Sequence, residues 1–320
     1  MIINSTFKPA WYLSNAHAQT IYPTFARRSK AAIDYYERLE LPDGDFIDLA
    51  WATNGLKAES PLVVLLHGLG GSVDSVYVAG LLRSFNHAGY RGVLMQFRGS
   101  SGVPNRLPRA YHSGETGDLA YLLECLHQRE PSTKKAVVGV SLGGNVLLKW
   151  LGETGAQPLI HAAVAVSVPF QLNIVAERIN KGFSRIYQAY LLKKLRTLFL
   201  EKLALVNRQL PLTKHDLLSI KTIREFDERI TAPLHGFKNA DAYYREASSR
   251  QYLSGIVTPT LIIHASDDPF MVPEVVPEEK HLSTDILFEL SQQGGHVGFI
   301  SRNNTNWLEQ RIPCFLADHL

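Results

Sequence analysis

The stretch AVVGVSLGGNVLLKW, residues 136–150, constrains this chain more than any other. Residues 136–140 are apolar or Gly, with Val at three positions, and a Gly pair downstream opens an amphipathic run. That pattern is a buried strand, a tight turn and a helix. At the turn sits Gly139-Val140-Ser141-Leu142-Gly143, a G-x-S-x-G. A Ser on so sharp a strand-to-helix turn is backbone-strained, so its flanking positions must be small; its hydroxyl is then held above the sheet at a helix N-terminus. Such a Ser becomes a nucleophile only with a base and an acid to activate it, and the chain must supply both downstream.

Composition bounds the alternatives. With 320 residues, 45% hydrophobic and 20% charged, the chain can bury a sizeable core as one large domain or one domain with an insertion. A net charge of +3, with no basic stripe interleaved with aromatics, argues against nucleic acid as a partner. Cys125 and Cys314 lie far apart and read as two reduced thiols. No basic segment leads into a continuous apolar one at the N-terminus, and no apolar run reaches about 18 residues. The expectation is a cytoplasmic protein with no transmembrane segment.

Residues 1–31, with Pro9, Pro23 and the polar run SNAHAQTIYPTF, read as an irregular surface loop in which His17 is structural. Residues 35–52 form two alternating runs about Pro42-Asp43-Gly44-Asp45, a hairpin signal. LVVLLHG, residues 62–68, is apolar on both faces, as a central parallel strand should be, and ends in His67-Gly68-Leu69-Gly70-Gly71. Glycines there let backbone N–H groups approach a substrate oxygen, so the N–H groups of Leu69 and Leu142 are the expected oxyanion-hole donors. A helix over 75–88 and a strand over 92–97 follow. In the long Gly- and Pro-rich turn after them, Arg98, Asn105, Arg106, Arg109 and His112 are read as ordering the loop more than as lining a site. A helix over 114–128 returns the chain to the strand before Ser141, and a further buried strand begins at Ala162.

Strands alternating with helices imply a parallel sheet with helices on its faces, an α/β architecture. From 171 to 252 the strand signal stops and helical runs such as YQAYLLKKLRTLFLEKLALV take over. The expected organisation is a core in two parts, 1–170 and 253–320, interrupted by a helical cap insertion over 171–252. Residues 178–214 carry many more Lys and Arg than Asp and Glu. We read them as a solvated outer face over an apolar inner face that lines an acyl pocket; transient contact of the basic face with anionic lipid is the second reading.

The sheet resumes with TPTLIIHASDDPF, whose strand-end loop offers Asp267 and Asp268. The acid of a triad lies a few residues past the strand end with Pro close behind, which points to Asp268, with Asp267 as the alternative. A paired-carboxylate metal site lacks neighbouring ligands at suitable spacing. After a last strand from Asp285, SQQGGHVGF places His296 in a Gly-rich loop free to swing its ring toward Ser141. The chain order Ser141, Asp268, His296 differs from that of the two other well-known serine-triad folds. Residues 306–320 read as a closing helix interrupted by Pro313.

Taken together, SNAHAQTI, HGLGG, FRGSSGVPNRLPRAYHSGET, GVSLGGN, DERITAPLHGFKNADAYYREAS, ASDDPF and GGHVGF resemble the YheT-like branch of the α/β-hydrolase superfamily, which includes ABHD1/ABHD3-type hydrolases. The resemblance covers nearly the whole chain, and PNRLPRAYHSG and ITAPLHGF are what make the branch specific. It implies an α/β-hydrolase fold, a mostly parallel sheet with a helical cap, and a serine hydrolase acting on carboxylic esters with short- to medium-chain acyl groups or on acylglycerols. It carries the triad over to Ser141, Asp268 and His296 and implies no metal and no organic cofactor. The membrane anchor of eukaryotic relatives has no counterpart in this sequence, so membrane residence is not carried over. An acyltransferase using an alcohol acceptor shares every one of these residues, and a non-catalytic lipid- or ligand-binding protein could retain the fold; these two readings stay open.

Overall fold

A computed structural model describes residues 1–26, 30–156, 159–302 and 305–320. Nine strands form one sheet: β1 (Ile2–Asn4), β2 (Tyr35–Glu40), β3 (Phe46–Ala52), β4 (Leu62–Leu66), β5 (Arg91–Gln96), β6 (Lys135–Val140), β7 (Ala162–Val166), β8 (Thr260–Ala265) and β9 (Ile286–Ser291). Their order is β1-β9-β8-β7-β6-β4-β5-β3-β2, with only the β2/β3 and β3/β5 pairs antiparallel. The helices are α1 (Ala16–Ala26), α2 (Val78–His87), α3 (Gly117–Arg129), α4 (Leu142–Thr154), α5 (Leu172–Arg178), α6 (Ser184–Glu201), α7 (Leu203–Val206), α8 (Lys214–Ser219), α9 (Ile223–Phe226), α10 (Ala232–Leu234), α11 (Ala240–Ala247) and α12 (Leu308–Leu316). A π-helical turn, Asp227–Thr231, joins α9 to α10.

The period-2 pattern of the strands explains the layers. In β4, Leu62, Val64 and Leu66 face a core shared with α3 and α4, while Val63 and Leu65 face one shared with α2 and α12. Fully burying each such side chain contributes roughly 2 kcal/mol, which commits these strands to the middle of the sheet. Leaving β4, the chain adds β5 on one side and then returns to add β6 on the other. Leu66 lies in register with Gly139, so the chain leaves the carboxyl ends of β4 and β6 side by side. That is the switch point where open α/β sheets carry their sites. Everything from α5 to α11 lies between β7 and β8, also at that edge.

Two expectations fail. The N-terminal segment is not a loop: residues 2–4 add β1 to the edge of the sheet, and residues 16–26 form α1 with Pro23 inside it. Asn15 Oδ1 accepts from the N–H groups of His17 and Ala18 and so caps the helix, and the buried Gln19 amide ties it to Leu13 and Ile300. Residues 27–29 of that stretch lie outside the described residues. Nor does Pro313 interrupt the last helix. It costs one backbone bond, but Leu308, Ile312 and Leu316 on the buried face hold the helix through it. The helices expected over 75–88 and 114–128 begin three residues later, at Val78 and Gly117.

Candidate active site

Ser141 stands at the end of β6 with φ +54° and ψ −118°, a conformation that a non-Gly residue adopts only under constraint. Its N–H donates to Val166 O of β7 at 2.8 Å and its C=O accepts from the Asn145 N–H of α4 at 3.1 Å, which fixes the turn between β6 and α4. Gly143 shows why the motif needs glycine: a Cβ there would lie 2.7 Å from the carbonyl oxygens of Leu66 and His67. The turn therefore closes directly onto the β4 loop.

The His and the acid meet this Ser. The Ser141 hydroxyl donates to His296 Nε2 at 3.0 Å, and His296 Nδ1 donates to Asp268 Oδ2 at 2.8 Å. Facing a carboxylate acceptor, Nδ1 carries the ring proton and leaves Nε2 free to accept. Asp268 is buried, and its second oxygen accepts from the Phe270 N–H at 2.9 Å. The Phe270 ring lies flat on the imidazole, centroids 4.0 Å apart and planes within 7°. Asp267 does a different job: it accepts from the Gly295 N–H at 2.9 Å and so holds the histidine loop, and burial keeps its carboxyl above the usual range. The same loop is held by Thr20 Oγ1, which accepts from the His296 N–H at 2.9 Å, and by Ser167 Oγ, which accepts from Val297 at 3.2 Å. Sequence reasoning missed Thr20 and Ser167, whose partners lie more than 100 residues away.

The β4 loop is fixed by His67 of the HGLGG motif and by two tyrosines that the sequence did not single out. Burial pushes His67 down to about 4, so it is neutral near pH 7. Its Nε2 accepts from the Phe97 N–H at 3.2 Å, and Nδ1 therefore donates to Gly68 O at 2.8 Å. Gly71 N–H donates to the same carbonyl at 3.0 Å. In a trans peptide the C=O and the following N–H point in opposite directions, so pinning Gly68 O inward turns the Leu69 N–H outward. Tyr77 and Tyr111 hydroxyls accept from Gly68 and Gly70. Among the described residues the N–H groups of Leu69 and Leu142 have no acceptor within the protein, and both residues line the cavity above Ser141. A Cβ on Gly68 would come 3.2 Å from Ser141 Cβ, so glycine keeps that approach open.

The cavity has a volume of about 490 Å³. Ser141 and His296 sit in its wall, with Leu172, Val175 and Ile179 from α5 and beyond, Leu191, Leu195, Leu198 and Phe199 from α6, and Phe226 from α9. A polar cluster interrupts this lining: Asp227 accepts from Thr231 and Tyr244 hydroxyls, both at 2.7 Å, beside His112, His235 and Tyr243. Burial raises Asp227 to about 6, against the pull of those two bonds. Arg98, Asn105, Arg106 and Arg109 point away from the cavity. Arg98 pairs with Asp118, Asp43 and Asp45, Asn105 bonds Asp45, and Arg106 and Arg109 pair with Glu40 and Glu115, so they order the loop. Among the described residues no group of His, Cys, Asp and Glu is arranged to hold a metal ion, and Cys125 and Cys314 are free.

A sheet of this order with a Ser, His and Asp joined at its carboxyl edge defines a hydrolase of the α/β class. Comparison with known proteins agrees. The α/β hydrolase fold family model matches residues 61–302. The chain is 45% identical over 321 residues to the putative esterase YheT of Escherichia coli, covering 99% of this chain and 94% of that one. It is 32% identical over 265 residues to a monoacylglycerol lipase of Saccharomyces cerevisiae, covering 80% and 59%, and 29% identical to mouse phospholipase ABHD3, covering 93% and 74%. Among solved structures a Pyrococcus furiosus esterase aligns with a TM-score of 0.59 over 90% of this chain and 91% of that one, at 20% identity. The chain belongs to the α/β-hydrolase family, in its YheT/ABHD3-type branch.

Proposed function

We propose that the protein hydrolyses carboxylic esters of short- to medium-chain acyl groups, acylglycerols among them, through an acyl-enzyme on Ser141. The observation that carries this reading is the Ser141–His296–Asp268 chain, with links of 3.0 and 2.8 Å, in the wall of an apolar cavity. His296 Nε2 takes the hydroxyl proton as Ser141 Oγ attacks the ester carbonyl. Asp268 keeps the ring in the tautomer that can accept it and stabilises the imidazolium that forms. The Leu69 and Leu142 N–H groups receive the charge developing on the carbonyl oxygen. Collapse returns the proton to the departing alkoxide, and water activated by His296 then releases the acid. Relatives named as an esterase, a phospholipase and a monoacylglycerol lipase support an ester substrate. A cavity of about 490 Å³ within the size range of small-molecule sites supports an acyl chain of modest length.

The test is turnover of a p-nitrophenyl ester series from acetate to palmitate by the wild type and Ser141→Ala, with and without an added alcohol. Hydrolysis of short or medium chains by the wild type alone is expected. Equal background rates for both proteins on every chain would remove the esterase reading, and an ester product that dominates with the alcohol would turn it into acyl transfer.

A further inference from the structure

Helix α6 carries apolar side chains on both of its faces. The inner face buries Tyr187, Leu192, Leu195 and Phe199. On the outer face Phe183, the N-cap residue, with Ile186 and Tyr190, at three- and four-residue spacing, are 48%, 56% and 59% exposed. A helix that covers a core needs no such stripe, and clustered exposed hydrophobics mark an interaction site. Their position adds to this. Ile186 and Tyr190 line the cavity while remaining half exposed, so they stand where it meets solvent. The opposite lip is α1, joined to α6 by the His17 ring against Phe183 (4.4 Å) and by His17 Nδ1 with Tyr187 Oη (2.9 Å). Thr24 of α1 also lines the cavity, and Phe25 beside it is 68% exposed.

Charge selects the partner. Residues 178–214 hold nine Lys and Arg and one acidic residue, Glu201. Lys181, Arg185, Lys193 and Lys194 are exposed on or just before α6 itself, interleaved with the apolar stripe. A second copy of this chain would bring the same cations against each other. An anionic bilayer offers both what the apolar side chains and what the cations need: an acyl boundary and negatively charged headgroups. We infer that the α6 outer face and the end of α1 dock the protein on an anionic lipid surface, so that the cavity mouth opens at the interface and lipid-borne esters enter without crossing water. The delivery of lipid-borne esters rests on the proposed function, whereas the docking itself is read without turnover.

The experiment is co-sedimentation with phosphatidylglycerol/phosphatidylcholine vesicles. The variants are Phe25→Ser/Phe183→Ser, whose side chains do not line the cavity, and Lys181→Glu/Arg185→Glu; Ser141→Ala serves as the control for chemistry. The wild type and Ser141→Ala should bind the mixed vesicles alike, and raised salt or phosphatidylcholine alone should weaken binding about tenfold or more. Both double variants should lose binding by about tenfold, and their rates on a water-soluble short ester should stay within about twofold of wild type, which also shows that they are folded. Wild type that stays in the supernatant at low salt overturns the inference, as do double variants that sediment like wild type. A wild-type dimer that Phe25→Ser/Phe183→Ser dissociates would assign the face to self-association instead. Loss of ester turnover in every protein with binding intact would remove the proposed function, and ester entry with it, and leave the docking standing.

Discussion

The Asp227 carboxyl gives a quantitative handle on the cavity. It sits in the π-helical turn of residues 227–231, buried, with Thr231 and Tyr244 hydroxyls donating to its two oxygens. No cation pairs with it among the described residues. Burial raises its pKa from 3.8 to about 6, the two hydroxyl bonds and Arg224 pulling the other way. The sign follows from linkage. The folded state holds this proton more tightly than the unfolded chain does, so the contribution to stability is fully present below pH 3.8 and is lost as pH rises through about 6. The shift of roughly two units corresponds to a loss of up to about 3 kcal/mol, at 1.36 kcal/mol per unit. Asp227→Asn keeps the shape and removes the titration, and its amide must be accommodated by two hydroxyls able to rotate, a cost of about 1 kcal/mol. In urea unfolding from about pH 4 to 7, other groups titrate in both proteins and cancel in the difference. The stability of Asp227→Asn relative to wild type should therefore rise by about 2–3 kcal/mol across that range. A difference that is flat with pH, or that falls, would refute the placement of Asp227 as a buried carboxyl without a cation.

Further predictions follow from the contacts around His296. Asp268→Asn should lower kcat on a p-nitrophenyl ester by about 10⁴-fold by favouring the wrong ring tautomer, whereas Asp267→Asn, which disturbs only the Gly295 anchor, should cost about tenfold or less; equal losses would contradict the division of labour. Phe270→Ala removes a ring stacked at 4.0 Å, and because such a stack is worth about 1 kcal/mol, kcat should fall by roughly five- to tenfold with KM little changed. Leu195→Trp fills part of the cavity from α6, so kcat/KM should fall by about tenfold or more on the longest esters accepted and hold on acetate, as read from the chain-length series.

The buried strands and the three residues joined at the sheet edge were legible because their signals are local. Strands buried on both faces leave unbroken apolar runs, and Ser141, Asp268 and His296 each sit among glycines or at strand ends whose chemistry allows few other purposes. What was not legible depends on contacts distant in sequence. Helix α1 carries Pro23 and a polar run, and it is held by the Gln19 amide bonded to Ile300 across 281 residues. Thr20 and Ser167 acquire their roles only when the histidine loop is laid against them. His67 reads as part of a motif in sequence, and its task of pinning the Gly68 carbonyl appears only once Phe97 fixes its tautomer. The apolar outer stripe of α6 was masked by the Lys and Arg between its residues, which made that face read as simply solvated.

In the mechanism proposed above, Ser141 is an activated nucleophile. Intact-mass spectrometry after exposure to a fluorophosphonate probe, with peptide mapping of any adduct, tests it most directly. One adduct per chain is expected on Ser141, absent in Ser141→Ala and formed several orders of magnitude more slowly in His296→Ala. An unlabelled wild type, or an adduct that persists in Ser141→Ala, would contradict it.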